Sequence, residues 1–359
     1  MAFMSGTDIA SRAGIDQNVS GSSVDQLFLK VFSGEILTAF ETATVMKELH
    51  TVRTISSGKS ASFPGTGIAD SSYHTVGQSI VETTSGGSSS YLSDIAKTEK
   101  QIFIDDMLIS STFLANVDEL KNHYDIRSIY AAELGKALAK RFDIATMKTL
   151  FAATGASANL SGQSAGTRIT GADLNTTQEI IDALFAVATQ LDDNDAPSEG
   201  RFAIVTPKTY YQLLTSDNNA IANIAVSSEY GNGGNVATAT LPMVAGISLV
   251  KSNHLKDIAE LGDKSSGSTS SDSTANNDVF GDNGDGYDGD FSGLTAGSAG
   301  SESYGILAGT KEAIGTVKLL DLATESEYQI ERQGTLFVAK YMMGHGVLRP
   351  ECAVAVTVS

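Results

Sequence analysis

The sequence predicts an α+β chain organised on one long helix, and three observations predict it. Apolar residues step by three to five positions through Ile126, Tyr130, Leu134, Leu138, Phe142, Ala145 and Leu150, the period of a helix. Residues 172–260 alternate helical stretches with short apolar ones, the pattern of an α/β lobe. The end is β-rich, with Leu336 to Tyr341 alternating and Leu348, Cys352, Val354, Val356 and Val358 marking a last strand. The 359 residues exceed the ~250–300 that one core serves, so two subdomains or an elongated subunit are expected.

Each element follows in chain order. Residues 1–24 are rich in Ser, Gly and Asp and read as a terminal arm. Leu27, Phe28, Val31, Phe32, Ile36, Leu37 and Phe40 then recur at helical spacing and make one apolar stripe, weakened at Gly34. That stripe suits an arm docked on a neighbour, or a helix folded on its own core.

Residues 50–105 read as a long hairpin, with strands at Val52–Phe63 and Lys100–Asp105. The sequence between them, including Ser85 to Ser90, has too few apolar residues to bury itself, so it needs solvent or another chain. Arg53, Lys59, Lys97 and Lys100 balance Asp70, Glu82, Asp94 and Glu99, which leaves this arm near neutral.

The long helix is expected within Asn116–Thr154. Asn116 and Glu119 form a capping-box-like start, Asn122 to Asp125 interrupt the first part, and Gly155 serves as a left-handed stop. In the lobe, a helix spans Asp173–Leu191 and ends at Asp192 to Pro197. A strand covers Phe202–Thr206, a helix opens with Pro207 and runs to Leu214, and a strand covers Ile247–Val250. Residues 265–303 hold seven acids and no Lys or Arg, the composition of a solvated surface loop. Gly344-His345-Gly346 reads as a turn, and Pro350 places the last strand's start at an edge or at its first residues.

Composition excludes several function classes. The net charge is −18, so general basicity cannot hold nucleic acid. Charged residues are only 18 %, which suggests that much of the exterior meets other subunits. A single cysteine, Cys352, rules out an internal disulfide and any all-cysteine metal site, and its apolar surroundings suit a small buried hydrophobe. No run of 18 apolar residues offers a membrane span, and Met1 to Ser20 lacks the apolar run of a secretory signal. A soluble, intracellular, oligomeric protein is expected.

Motifs for catalysis fail in turn. Ser57-Gly58-Lys59-Ser60 resembles the tail of a phosphate loop, but Arg53 stands where its first glycine belongs. Gly284 to Gly289 fits GxGxxG, yet its aspartates would repel a pyrophosphate. The same loop departs from the spacing of a calcium loop. The five histidines, His50, His74, His123, His254 and His345, show no metal-ligand spacing, and no GxSxG occurs. Carboxylate pairs are plentiful, and nothing selects one. No cofactor and no catalytic or metal-binding residue is expected.

Five blocks in order carry a resemblance: Leu27 to Phe40, Ile55 to Pro64, Asn122 to Ser128, Gly315 to Leu319, and Ala339 to Glu351 with its core Tyr341-Met342-Met343-Gly344-His345-Gly346. They resemble the major capsid proteins of short-tailed, T-odd-like bacteriophages, whereas residues 155–172 and 262–303 match nothing in that family. The resemblance implies the tailed-phage (HK-type) capsid fold. Residues 1–49 would be the N-terminal arm, 50–105 the extended loop and 106–171 the peripheral domain with its spine helix. Residues 172–322 would be the axial domain with the insertion 262–303, and 323–359 the peripheral C-terminal strands. It implies pentamers and hexamers of an icosahedral shell around double-stranded DNA, bound without sequence specificity, with a scaffolding protein in assembly, a portal at one vertex and no membrane. The place would be the virion capsid, assembled in the host cytoplasm. Candidate assembly residues are Phe28, Val31, Phe32, Ile36, Phe40, Arg53, Lys59, Phe63, Arg127, Lys340 and Arg349; Lys59 is given no isopeptide role. A non-viral encapsulating shell of the same fold and a soluble α/β enzyme stay open as alternatives.

Overall fold

The structure is a computed structural model and describes residues 36, 39–40, 44–74, 76–77, 79–80, 83–84, 88–89, 95–104, 107–115, 126–159, 162–172, 174–214, 243–255 and 305–358. In chain order, β1 (Thr51–Thr54), β2 (Ser60–Thr66), β3 (Thr83–Thr84), β4 (Ser88–Ser89), β5 (Lys97–Phe103) and β6 (Leu108–Ala115) precede helix α1 (Ile126–Ala153). Then come β7 (Thr167–Ala172), α2 (Thr177–Asp193), β8 (Phe202–Val205), α3 (Pro207–Leu214), β9 (Met243–Val244) and β10 (Ile247–Lys251). The chain closes with β11 (Ile306–Gly309), β12 (Ile314–Gln329), β13 (Gly334–Val347) and β14 (Ala353–Val358). It divides into two compact units: Met1–Thr44, Met107–Arg141 and Leu320–Tyr341 form the first, and Val45–Asp106, Phe142–Leu319 and Met342–Ser359 the second.

In the first unit β6 pairs antiparallel with β13, from Ala115↔Gly334 to Leu108↔Tyr341. The period-2 alternation puts Leu114, Phe337, Ala339 and Tyr341 on one buried face, while Ile109 and Phe113 stand exposed on the other. Helical residues Ile36 and Phe40 are buried as well. Their segment crosses α1 where the helix has Gly135; a Cβ there would lie 2.8 Å from the Ala39 Cβ and from the Ile36 carbonyl oxygen. Of the two readings of the apolar stripe, its described end therefore packs on its own chain.

The second unit holds a six-stranded sheet in the order β7-β14-β11-β8-β10-β9. The pairs β14–β7 and β10–β8 are parallel, and β11 is antiparallel to both β14 and β8. Every residue of β8, β11 and β14 is buried, which explains their unbroken apolar runs. Helix α2 packs against β7 and β14. Its start is a capping box: the Thr176 hydroxyl accepts from the Glu179 amide, and the Glu179 carboxylate accepts from the Thr176 amide at 2.8 Å. Helix α1 has 28 residues, about 42 Å at 1.5 Å per residue. From Phe142 to Ala153 it is buried at every position except Ala145 and so lacks the single apolar stripe of a surface helix.

Four expectations need correction. Val52–Phe63 is two strands: β1 pairs in parallel with Gly315–Lys318, whereas β2 pairs antiparallel with β5. Two partners in different sheets require the break at Ser56–Gly58. Gly344-His345-Gly346 lies inside β13 and makes no turn. Gly155 does not adopt positive φ; α1 closes through tight bonds from the Gly155 amide to Ala152 and from the Thr154 amide to Phe151. The last strand starts at Ala353, after a 3-10 turn at Pro350–Cys352, and lies inside its sheet. The Asn116 cap, the Asn122–Asp125 interruption and the acidic insertion lie outside the described residues.

Candidate assembly surfaces

The extended hairpin is built from its root outward. Ala61 on β2 and Ile102 on β5 are cross-strand partners and are buried with Ile104 and Val317. Ile55, Phe63, Leu319, Met342 and Leu348 pack around them. The root sits on β13 where that strand has no side chains. A Cβ on Gly344 would collide with the Phe103 carbonyl oxygen, and one on Gly346 would lie 2.8 Å from Ile102 Cγ1. The two glycines that look like a turn therefore form a seat for the hairpin.

Beyond the root the hairpin loses its cover. On the face of Ala61 and Ile102, Phe63 and Lys100 are half-buried, then Gly65 and Thr98. Further out, Ile68, Ile80 and Ile95 are exposed, and Tyr73 and Val76 are 101 % and 96 % exposed. Several large apolar side chains exposed in one segment are the usual mark of an interaction surface. Arg53 is fixed beside this surface: its Nη1 donates to the Ser62 carbonyl oxygen at 2.5 Å, and its guanidinium lies 5.7 Å from the Phe63 ring centroid.

The other described candidate residues belong to several elements of both units. Phe28, Val31 and Phe32 lie outside the described residues. Ile36 and Phe40 are buried in their own unit, and the Phe40 ring meets Tyr341 edge-on at 6.2 Å. Lys59 is exposed in the bend between β1 and β2, and Arg127 stands in the first turn of α1. Lys340 pairs with Glu325 at 2.6 Å on the sheet of the first unit. Arg349 donates through Nε to Glu351 at 2.8 Å and through Nη1 to Glu312.

A buried polar group escaped the sequence reading. His50 and His345 flank Phe142, with ring centroids 5.8 Å and 5.6 Å from it. His50 Nδ1–H donates to the Met46 carbonyl oxygen at 2.6 Å, and His345 Nδ1 is 2.8 Å from the Thr316 hydroxyl. Burial is the chief cause that lowers His50 to about 4 and His345 to about 3. Both are therefore neutral imidazoles at pH 7. Next to Phe142, Asp143 pairs with His254 at 2.9 Å. Nothing in the spacing of these residues announces the group, since Asp143 is one of several polar residues in that stretch, with Thr146, Lys148 and Thr149. Burial also pushes the Cys352 thiol above its usual range, in keeping with a buried, unreactive side chain. Among the described residues, no cluster of three or more His, Cys, Asp or Glu could hold a metal, and no helix is long and apolar enough to cross a membrane.

The described chain thus holds a long helix, an α/β lobe and a hairpin with exposed apolar residues, and comparison with known proteins gives its family. The family model of the Gp10A-like major capsid protein matches residues 62–357. The chain is 32 % identical over 344 residues to the major capsid protein of Escherichia phage T7, covering 92 % of this chain and 91 % of that one. It superposes on the capsid structure of the cyanophage P-SCSP1u with a TM-score of 0.64 at 34 % identity, covering 96 % and 97 % of the two chains. The mature capsid of bacteriophage PhiM1 shares the fold at 17 % identity, with a TM-score of 0.59 over 88 % and 87 %. These are structural proteins, not enzymes. Matched along nearly its whole length, the chain belongs to the Gp10A-like major capsid protein family, and its α+β architecture is the tailed-phage capsid fold.

Proposed function

We propose that this capsid protein closes into pentamers and hexamers of an icosahedral shell around double-stranded DNA, with its hairpin finishing its burial on a neighbouring copy. The observation that carries the reading is the hairpin itself, whose Tyr73 and Val76 are wholly exposed in the single chain. Laying that ribbon over the helix and sheet of a neighbour removes apolar surface from water, at roughly 25 cal/mol per Å². Permanent interfaces of this kind bury ~2,000–5,000 Å². Each copy offers the same ribbon and the same receiving surface, so head-to-tail contacts close into rings.

In this reading residues 1–49 are the N-terminal arm, 50–105 the extended loop, and 106–171 with 323–359 the peripheral domain. Residues 172–322 form the axial domain and supply β8 to β11 of the six-stranded sheet, whose β7 and β14 come from the segments on either side. Arg53, Lys59, Phe63 and Arg127 serve contacts between copies along the loop and spine helix, Phe28, Val31, Phe32, Ile36 and Phe40 seat the arm, and Lys340 and Arg349 hold the peripheral strands. A scaffolding protein guides assembly in the host cytoplasm, and a portal occupies one vertex. The net charge of −18 leaves packaged DNA without an adhesive wall and with no sequence-specific contact. Identity of 32 % to a phage capsid protein, beyond likeness of fold, favours a virion over a non-viral shell.

Deleting residues 66–92 tests this. The truncated subunit should stay folded by circular dichroism and form no closed shells in electron micrographs. Normal shells from it would overturn the role of the hairpin.

A further inference from the structure

Helix α1 passes into its buried half at Phe142, and the next residue is an aspartate with no exposed surface. A buried carboxylate is unfavourable unless its lone pairs find donors. The carboxylate of Asp143 finds them in two remote segments. Its oxygens accept the Val45 amide at 3.1 and 3.0 Å and the Met46 amide at 3.1 Å. Its Oδ2 also accepts His254 Nδ1–H at 2.9 Å.

Residues 45–50 form a strap held on that carboxylate. The Met46 side chain is fully buried, and its carbonyl oxygen accepts from His50 Nδ1–H and from the Leu49 amide. The strap lies between Thr44 and β1, so the N-terminal arm enters at one end and the hairpin leaves through β1 at the other. His254 follows β10 and is positioned by its own amide, which donates to the Ser252 hydroxyl at 3.2 Å. Its side chain is 24 % exposed, so the pair opens to solvent on the histidine side only.

We propose that Asp143 and His254 form a latch that fixes the strap 45–50 on helix α1, and that shell closure requires the latch to be shut. The second half rests on the assembly reading above. Both segments that would reach a neighbour leave from this strap; with the strap loose, each contact between copies must also order it, at an entropic cost. Asp143 and His254 are positioning residues: they act through the strap they hold.

The test is hydrogen exchange by mass spectrometry on His254→Ala and Asp143→Asn, beside electron micrographs of the same preparations. Peptides from β8 and β14 serve as internal references. In both variants residues 45–50 should exchange at least ~10-fold faster while β8 and β14 keep wild-type protection, the mark of local opening. Shell yield should fall several-fold from that of wild type. Unchanged exchange over 45–50 would overturn the latch. So would acceleration of β8 and β14 together with the strap, because Asp143 would then support the whole core. Normal shells from a released strap would overturn its link to closure. Wild-type protein that makes no shells would strike the assembly reading, and the exchange result would still decide the latch.

Discussion

His50 and His345 are two titratable groups kept neutral by burial, and their cost appears in acid. At 1 % and 4 % exposure they have little access to water, and Lys318 further disfavours a proton on either ring. In the unfolded chain each returns to a pKa near ~6.5. The folded values, about 4 and about 3, lie below that, so the native state binds fewer protons than the unfolded one through this range. Stability from these groups is therefore complete above pH ~6.5 and drains away as the pH falls toward the folded values. At about 1.4 kcal/mol per pKa unit, His50 alone accounts for about 3 kcal/mol of loss between pH 6.5 and 4. Urea midpoints of the subunit should be flat above pH 7 and decline steadily from pH 6.5 to 5, before most carboxylates titrate. A His50→Gln/His345→Asn double variant should flatten that decline, and an unaltered slope would assign it to other groups. None of this was legible in the sequence, where the five histidines are scattered and their meeting around Phe142 depends on three separate elements.

At the scale of elements, the glycine seat under the hairpin root makes the sharpest prediction. Gly346→Ala places its methyl group against the side chain of Ile102, which must shift, at a cost of ~1–3 kcal/mol for overpacking. Ile102→Ala leaves a cavity in the same place and costs ~2–5 kcal/mol. The two share one volume, so the double variant should melt higher than the sum of the single losses predicts; strict additivity in thermal melts would dissolve the seat. Gly344→Ala has no such escape, since its methyl would meet a backbone oxygen. This seat also shows what a sequence conceals. Glycine permits both a turn and a close approach of chains, and Gly344-His345-Gly346 reads the same for either. The helices and short strands of the lobe were legible because burial there follows period: α2 buries Ile180, Ala183, Leu184, Val187 and Leu191 at helical spacing. Strand β12 was not, because its sixteen residues are buried at the start and half-buried or exposed later, with no alternation to read. The candidate surface was legible as a type, a ribbon too poor in apolar residues to fold alone, while its anchoring residues needed the fold.

For the whole molecule, association sets the repulsion of like charges against the gain from apolar contact. Each copy carries −18, and like-charged copies repel over ~30 Å at 0.01 M salt but only ~8 Å at 0.15 M. The hairpin contributes little to that repulsion, since its four basic residues Arg53, Lys59, Lys97 and Lys100 offset Asp70, Glu82, Asp94 and Glu99. In the proposed assembly, apolar contact through the exposed Tyr73 and Val76 would have no such dependence on moderate salt. Association followed by light scattering should therefore strengthen from 0.01 to 0.15 M salt and then level off. Residues 265–303 carry seven acids and no Lys or Arg, so their deletion takes the net charge to −11. Self-repulsion scales roughly with the square of the charge in Coulomb's law, so that variant should keep well under half of the wild-type salt dependence while still assembling. Weaker association on adding salt would reverse the argument: attraction between charged patches would then drive the copies together, and the exposed apolar ribbon would be secondary.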